Sequence, residues 1–187
     1  AKRGDISSTA AAYARAVFDL LDADAVTLSP LLGADSIEPF IRPDGRGLFL
    51  LCHTSNPGAR DLQELDAGGM PFYERVALAA RSWNTKGCIG LVIGATFPGV
   101  LARARALAPE MWFLLPGVGS QGGDLETSVA AGLDARGGGV IVNVSRAVAG
   151  AADPGQAARE LRDRIQAVRV AARSARAPSG SPAVGPV

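Results

Sequence analysis

Two stretches in the C-terminal half carry residue types suited to holding a phosphate. "LLPGVGSQGGD" (114–124) is glycine-rich, follows an apolar run and precedes a segment of helical period. Glycines there allow positive φ and let backbone N–H groups approach an anion closely. A helix start beyond them adds a favourable dipole. Within the stretch, Gln121 offers an amide able to bond both a phosphate oxygen and a base edge. "GVIVNVSRAV" (139–148) closes an apolar run with Ser145 and Arg146, and an arginine at that place can fork onto a phosphate. Taken singly, the first also reads as a plain βα turn and the second as a rim salt bridge. Together they point to a phosphorylated ligand, because the last two βα loops of a (β/α)8 barrel are a recurrent phosphate site.

Two further clusters bear on the chemistry. "CHTSNPGA" (52–59) puts Thr54, Ser55 and Asn56 at the end of an apolar run, where they can read the edge of a polar ring or sugar, or cap a following helix. "AKRGD" sets Lys2 and Asp5 three residues apart. A lysine beside carboxylates keeps its proton and can donate it to a carbanion. The same five residues also read as a solvated charge cluster.

These residues need elements to position them, and the sequence alternates with a regular beat. Short apolar runs at 24–30, 47–55, 87–96, 111–117 and 139–145 are near-continuous rather than alternating. Such runs predict strands buried on both faces, in a parallel sheet covered by helices. Between them lie segments of helical period. "SSTAAAYARAVFDLL" has Ser or Thr as caps. "PFYERVALAARSWN" puts Phe72, Val76, Ala79 and Ala80 on one face, and "PGVLARARALAP" starts on a proline. "DLETSVAAGLDA" starts on Asp124, "ADSIEPFI" is short, and "DPGQAARELRDRIQAVRVAARS" is long and amphipathic. Polar residues gather after the C-terminal strand ends (Thr54, Ser55, Asn56, Thr96, Gln121, Ser145, Arg146), the catalytic face of a barrel. The glycine fingerprint that a doubly wound nucleotide-binding sheet shows after its first strand is not seen. The pattern therefore fits an α/β (β/α)8 barrel over residues 1–173 better than a doubly wound sheet, with five of a barrel's eight strands readable and three unaccounted for. The Pro/Ser/Gly/Ala-rich segment 174–187 is expected to be a disordered tail.

Composition narrows the function classes. Nineteen basic and 18 acidic side chains leave a net charge of +1, which gives no electrostatic case for a nucleic-acid partner. No apolar run reaches the length of about 18 residues that spans a bilayer. Cys52 and Cys88 each lie in an apolar run, and with the lone His53 they make no metal set. They read as buried thiols in a reducing cytoplasm, and His53 as an interior or rim histidine.

"KRGDI" followed by "T", then "TSNPG", "VIGAT", "PGVGSQGG" and "VNVSRA" resemble, in order and spacing, the orotidine 5'-phosphate decarboxylase family, in particular its mycobacterial-type branch. The resemblance runs from residue 1 to about 172. It implies a homodimer of (β/α)8 barrels that converts orotidine monophosphate to uridine monophosphate (UMP) in pyrimidine synthesis, without metal or organic cofactor, with no nucleic-acid or membrane partner. It implies catalytic roles for Lys2, as the proton donor to C6, and for Asp5, offered across the dimer interface. It implies substrate contacts at Thr9 near the ribose, Ser55 at the pyrimidine edge, Pro116 in the closing loop, Gln121 between base and phosphate, and Arg146 on the phosphate. The family's Asp-x-Lys-x-x-Asp hallmark would begin immediately before Ala1. The first two strands and the lysine on the second also fall outside the sequence. The chain is thus expected to carry the last five strands plus the end of the third, and to be inactive if it is a fragment. Two alternatives are a magnesium-dependent sugar-phosphate decarboxylase or aldolase of the same superfamily, and a barrel fragment that only binds phosphorylated ligand.

Overall fold

The computed structural model describes residues 2–118 and 124–176. Five parallel strands form one sheet in the order β1 (Ala25–Leu28), β2 (Gly47–His53), β3 (Ile89–Ile93), β4 (Phe113–Leu115) and β5 (Val140–Val142). Each lies inside an apolar run picked out above. Helices fill the connections: α1 (Ser7–Ala14), α2 (Ala34–Ile37), α3 (Ala59–Leu62), α4 (Phe72–Trp83), α5 (Pro98–Leu107), α6 (Leu125–Gly132), α7 (Arg146–Ala149) and α8 (Pro154–Arg176). The α1 helix runs on as a π-helical turn over Arg15–Leu20.

One face of the sheet is packed under these helices. Leu48, Leu50, Leu91, Ile93, Phe113 and Leu115 are buried there with Val76, Ala77 and Ala80 of α4 and Leu101 and Ala104 of α5. A second cluster joins Val129 of α6 and Leu133 just after it to Leu161, Ile165 and Val168 of α8. The opposite, concave face carries Phe49, Leu51 and Ile141, the alternate residues of the same strands. In a closed barrel this face is the interior.

Local rules account for some of the helix starts. Pro98 opens α5 at the first-turn position. Asp124 caps α6, accepting the Thr127 N–H at 2.7 Å. The serine cap expected for α1 is replaced: Ser7 itself takes φ +50°, and the Asp5 carboxylate accepts the Ile6 N–H at 2.8 Å. α8 continues through Ser174–Arg176, three residues into the segment expected as tail, because Ala and Arg sustain a helix well. The rest of that segment lies outside the described residues.

Glu74 ties α4 to α5. Its carboxylate takes a two-pronged bond from Arg103 (Nε to Oε1 3.0 Å, Nη2 to Oε2 2.9 Å) and one from the Tyr73 hydroxyl. The Arg103 guanidinium, outweighing burial, holds this carboxyl below the usual range. A carboxyl whose folded pKa is depressed contributes stability above its unfolded value, and that contribution fades as pH falls. Glu74→Gln is therefore expected to lower the melting temperature at pH 7, with the gap to the parent narrowing below about pH 4.3, the ordinary glutamate value. Thermal scans of both proteins across pH 3–7 check this; a gap independent of pH would refute it.

Candidate active site

The site is built at the C-terminal ends of the strands. Its first component is the segment before α1. Arg3 N–H donates to Thr27 O (3.0 Å), and Ser29 N–H donates to Arg3 O (2.8 Å), so Arg3 pairs in parallel with the end of β1. The Arg3 guanidinium lies over the Tyr13 ring of α1, 5.2 Å from its centroid, on the helix side. Alternation then sends Lys2 and Gly4 to the concave face, and Gly4 sits against the Ser29 side chain. Lys2 is exposed there, Asp5 is half-buried, and Thr9 is exposed one turn into α1. The left-handed backbone at Ser7, costly for a residue with a Cβ, turns the chain sharply between Asp5 and Thr9.

The second component follows β2. Thr54 Oγ1 bonds Asn56 Oδ1 at 2.6 Å, and Thr54 N–H donates to Gln63 Oε1 at 2.8 Å. These bonds fix the loop that carries Ser55. The capping alternative for Ser55 and Asn56 is not realised, since α3 starts at Ala59 after Gly58 with no side-chain cap. His53 beneath the loop is fully buried. Its Nε2 lies 3.2 Å from Glu64 Oε1, and its ring meets Tyr73 and Phe97 edge-on. It packs the loop from below. Cys52 is buried as expected, and burial pushes its thiol pKa up to about 12, which removes it from nucleophilic chemistry. Cys88 departs from expectation: it is only half-buried, at the opposite end of the sheet from the site.

The third component brings together the two stretches proposed to hold phosphate. Pro116, Gly117 and Val118 after β4 face Asn143, Val144, Ser145 and Arg146 after β5 across a cleft of about 230 Å³. Ala95 N–H donates to Pro116 O at 2.8 Å, and Ser128 Oγ of α6 donates to Ala95 O at 2.5 Å. Pro116 and the start of α6 are thereby held to the loop after β3. The apolar run expected to stay a strand through Ser145 leaves the ladder after Val142, because residues 143–146 turn to line the cleft, and Arg146 opens α7. Asn143 on the cleft wall was not singled out in the sequence; its signal is a polar side chain interrupting "VIVNV". Gln121 lies outside the described residues.

Parallel strands alternating with helices, with polar side chains gathered at the C-terminal strand ends around a cleft, define a partial (β/α)8 barrel whose candidate site lies at those ends. The chain belongs to the orotidine 5'-phosphate decarboxylase / HUMPS family, whose sequence model matches residues 1–161. It is 52% identical over 177 residues to the orotidine 5'-phosphate decarboxylase of Azoarcus sp., covering 90% of this chain and 66% of that protein. It is 57% identical over 180 residues to the one of Roseiflexus castenholzii, covering 89% and 65%. The chain thus spans about two thirds of the length of the curated relatives it matches. Among solved structures, Leishmania donovani OMP decarboxylase superposes with a TM-score of 0.87 at 51% identity, covering 91% of this chain and 67% of that one. The Leishmania donovani UMP synthase superposes with a TM-score of 0.89 at 53% identity, covering 91% and 39%.

Proposed function

We propose that this chain acts in the decarboxylation of orotidine 5'-monophosphate to UMP. The observation that carries the reading is the Arg3–β1 pairing, which sets Lys2 on the concave side of the same rim that holds Ser55 and the Pro116–Arg146 cleft. In the reaction, the bond between C6 and the carboxylate breaks, carbon dioxide leaves, and the electron pair stays at C6. The Lys2 ammonium then delivers its proton to C6. A preplaced ammonium stabilises developing charge at C6 more than it stabilises the substrate, which is what accelerates the chemical step. Ser55 reads the pyrimidine edge, Gln121 bridges base and phosphate, and Arg146 grips the phosphate. Binding energy from the remote phosphate offsets closure of the Pro116 loop and exclusion of water.

The working assembly in this reading is a homodimer, with Asp5 and Thr9 serving the neighbouring copy's site. Exposed apolar side chains at the rim support it: Ile6, Leu31, Leu32, Leu62 and Leu65 are each about half or more exposed, more than isolated surface residues require. We place the protein in the cytoplasm, where its two free cysteines stay reduced. No helix among the described residues is long and apolar enough to cross a membrane.

The deciding experiment is UMP formation from orotidine monophosphate by the purified chain, with and without EDTA. Turnover indifferent to EDTA supports the reading, and a strict magnesium requirement refutes it. UMP binding without turnover would favour a barrel segment that only binds phosphorylated ligand. Arg146→Ala is expected to raise KM by about 10- to 100-fold, the worth of charge-assisted hydrogen bonds to a phosphate, with a smaller loss in kcat. Steady-state kinetics check it, and an unchanged KM would remove Arg146 from the phosphate site.

A further inference from the structure

Gly94 follows β3 at the rim and carries no side chain to touch a ligand, yet its surroundings single it out. A Cβ built there would stand 2.7 Å from Ser55 Cα, 2.8 Å from Ser55 N and 2.8 Å from Ser55 Cβ. Two of these are backbone atoms, so no rotamer change relieves the contact. Gly94 N–H also donates to His53 O at 2.8 Å, which fixes the two segments at this spacing. The next residue, Ala95, holds Pro116 through its N–H. We infer that Gly94 is a positioning residue for substrate recognition: its missing Cβ lets the Ser55 loop lie directly on the β3 rim and so sets the depth at which the Ser55 hydroxyl meets the pyrimidine edge. This rests on the reading of Ser55 as a pyrimidine contact.

Gly90 supplies an internal control. It lies four residues earlier on the same strand, and a Cβ there would stand 2.6 Å from Trp112 O and 2.8 Å from the Phe49 ring. The steric insult is comparable, but it falls on Trp112 just before β4 and on β2, away from the rim.

The test measures UMP affinity by calorimetry and melting temperature for the parent chain, Gly94→Ala, Gly90→Ala, Ser55→Ala and the Gly94→Ala/Ser55→Ala double variant. Gly94→Ala is expected to weaken UMP binding on the order of tenfold, the worth of one hydrogen bond to the base. Ser55→Ala is expected to cost a similar factor. The double variant should bind no more weakly than Ser55→Ala, because the two changes remove the same contact. Gly90→Ala should lower the melting temperature while leaving affinity within about twofold. The inference is overturned if Gly94→Ala binds UMP like the parent, if its loss adds in full to that of Ser55→Ala, or if it fails to fold or only tracks Gly90→Ala. A parent chain that binds no UMP, or a Ser55→Ala variant that binds it normally, defeats the reading of Ser55 itself, which separates that failure from a failure of the Gly94 inference.

Discussion

Replacing Lys2 by alanine is expected to slow UMP formation by at least about 1,000-fold while changing UMP affinity by less than about threefold. The size follows from what Lys2 is asked to do. A positioned general acid contributes about 10²- to 10⁴-fold, and loss of a single preorganised charge-stabilising donor costs about 10²- to 10³-fold. At Lys2 both functions reside in one ammonium. UMP has already received its proton at C6, and in the proposed function its binding rests on the Ser55 loop and on the cleft that Pro116 and Arg146 line. An effect on kcat with binding retained is therefore the signature of a group used in the transition state. Lys2→Arg is expected to fail nearly as badly, since a guanidinium keeps its charge but does not release its proton. Single-turnover kinetics with parallel UMP titrations decide the matter. Turnover within tenfold of the parent in Lys2→Ala would remove Lys2 from the chemistry.

The largest stability loss is expected at Arg105. This side chain is 9% exposed and reaches from α5 into the opposite end of the sheet from the site. Its Nε and Nη2 donate to Gly132 O at the end of α6, Nη1 donates to Ala108 O, Pro109 O and Met111 O, and Nη2 also donates to Gly139 O just before β5. The guanidinium stacks 3.7 Å from the centroid of the fully buried Phe113 ring. Burial pulls its pKa down to about 10, against the attraction of Asp134, so it stays charged at neutral pH. Arg105→Met leaves five carbonyl oxygens without this donor, four of them in segments that enter β4 and β5. Each buried acceptor left without a donor costs about 1–3 kcal/mol, and with several affected at once a total of about 3–5 kcal/mol is expected. For a chain of this size that corresponds to a fall of roughly 10 °C in melting temperature. Arg105→Lys is expected to recover only part of the loss, because three donors on a flexible stem cannot match the planar fork. Denaturant titration gives the measurement, and a loss under about 1 kcal/mol would show that water replaces the arginine.

Gly139 belongs to the same corner. It has φ +75°, and a Cβ there would stand 2.9 Å from Asp134 Oδ2 and 3.2 Å from Arg105 Nη2. Strand β5 can start where it does because nothing projects from that backbone.

All five strands were legible in the sequence, because β strands covered by helices on one side and closed toward a barrel interior on the other must be near-continuously apolar. The meeting of Pro116–Val118 with "NVSRA" was legible for a related reason: consecutive βα loops of a parallel sheet must be neighbours. What escaped notice is tertiary. "LARARAL" contains two arginines two residues apart, and nothing local distinguishes Arg103, half-exposed on Glu74, from Arg105, buried among carbonyls. The four-residue helices α3 and α7 are too short to show a period. The serines that open α1 look like caps, but there the chain must turn hard enough to pair Arg3 with β1, and Ser7 takes up the bend instead.

The strand order has a consequence for how the molecule comes into being. Every sheet pairing joins strands that are consecutive along the chain, β1 to β2 through β4 to β5. A chain emerging from the ribosome can therefore lay down each strand–helix unit on an edge already finished, with only short loops to close at each step. The rim residues do not share this gradual growth. Ser55, Pro116 and Arg146 arrive with the second, fourth and fifth strands, so the cleft between Pro116 and Arg146 does not exist until the fifth strand has docked. On the proposed function, nucleotide binding is then a report on completion, and a ligand added during synthesis would stabilise only the final arrival.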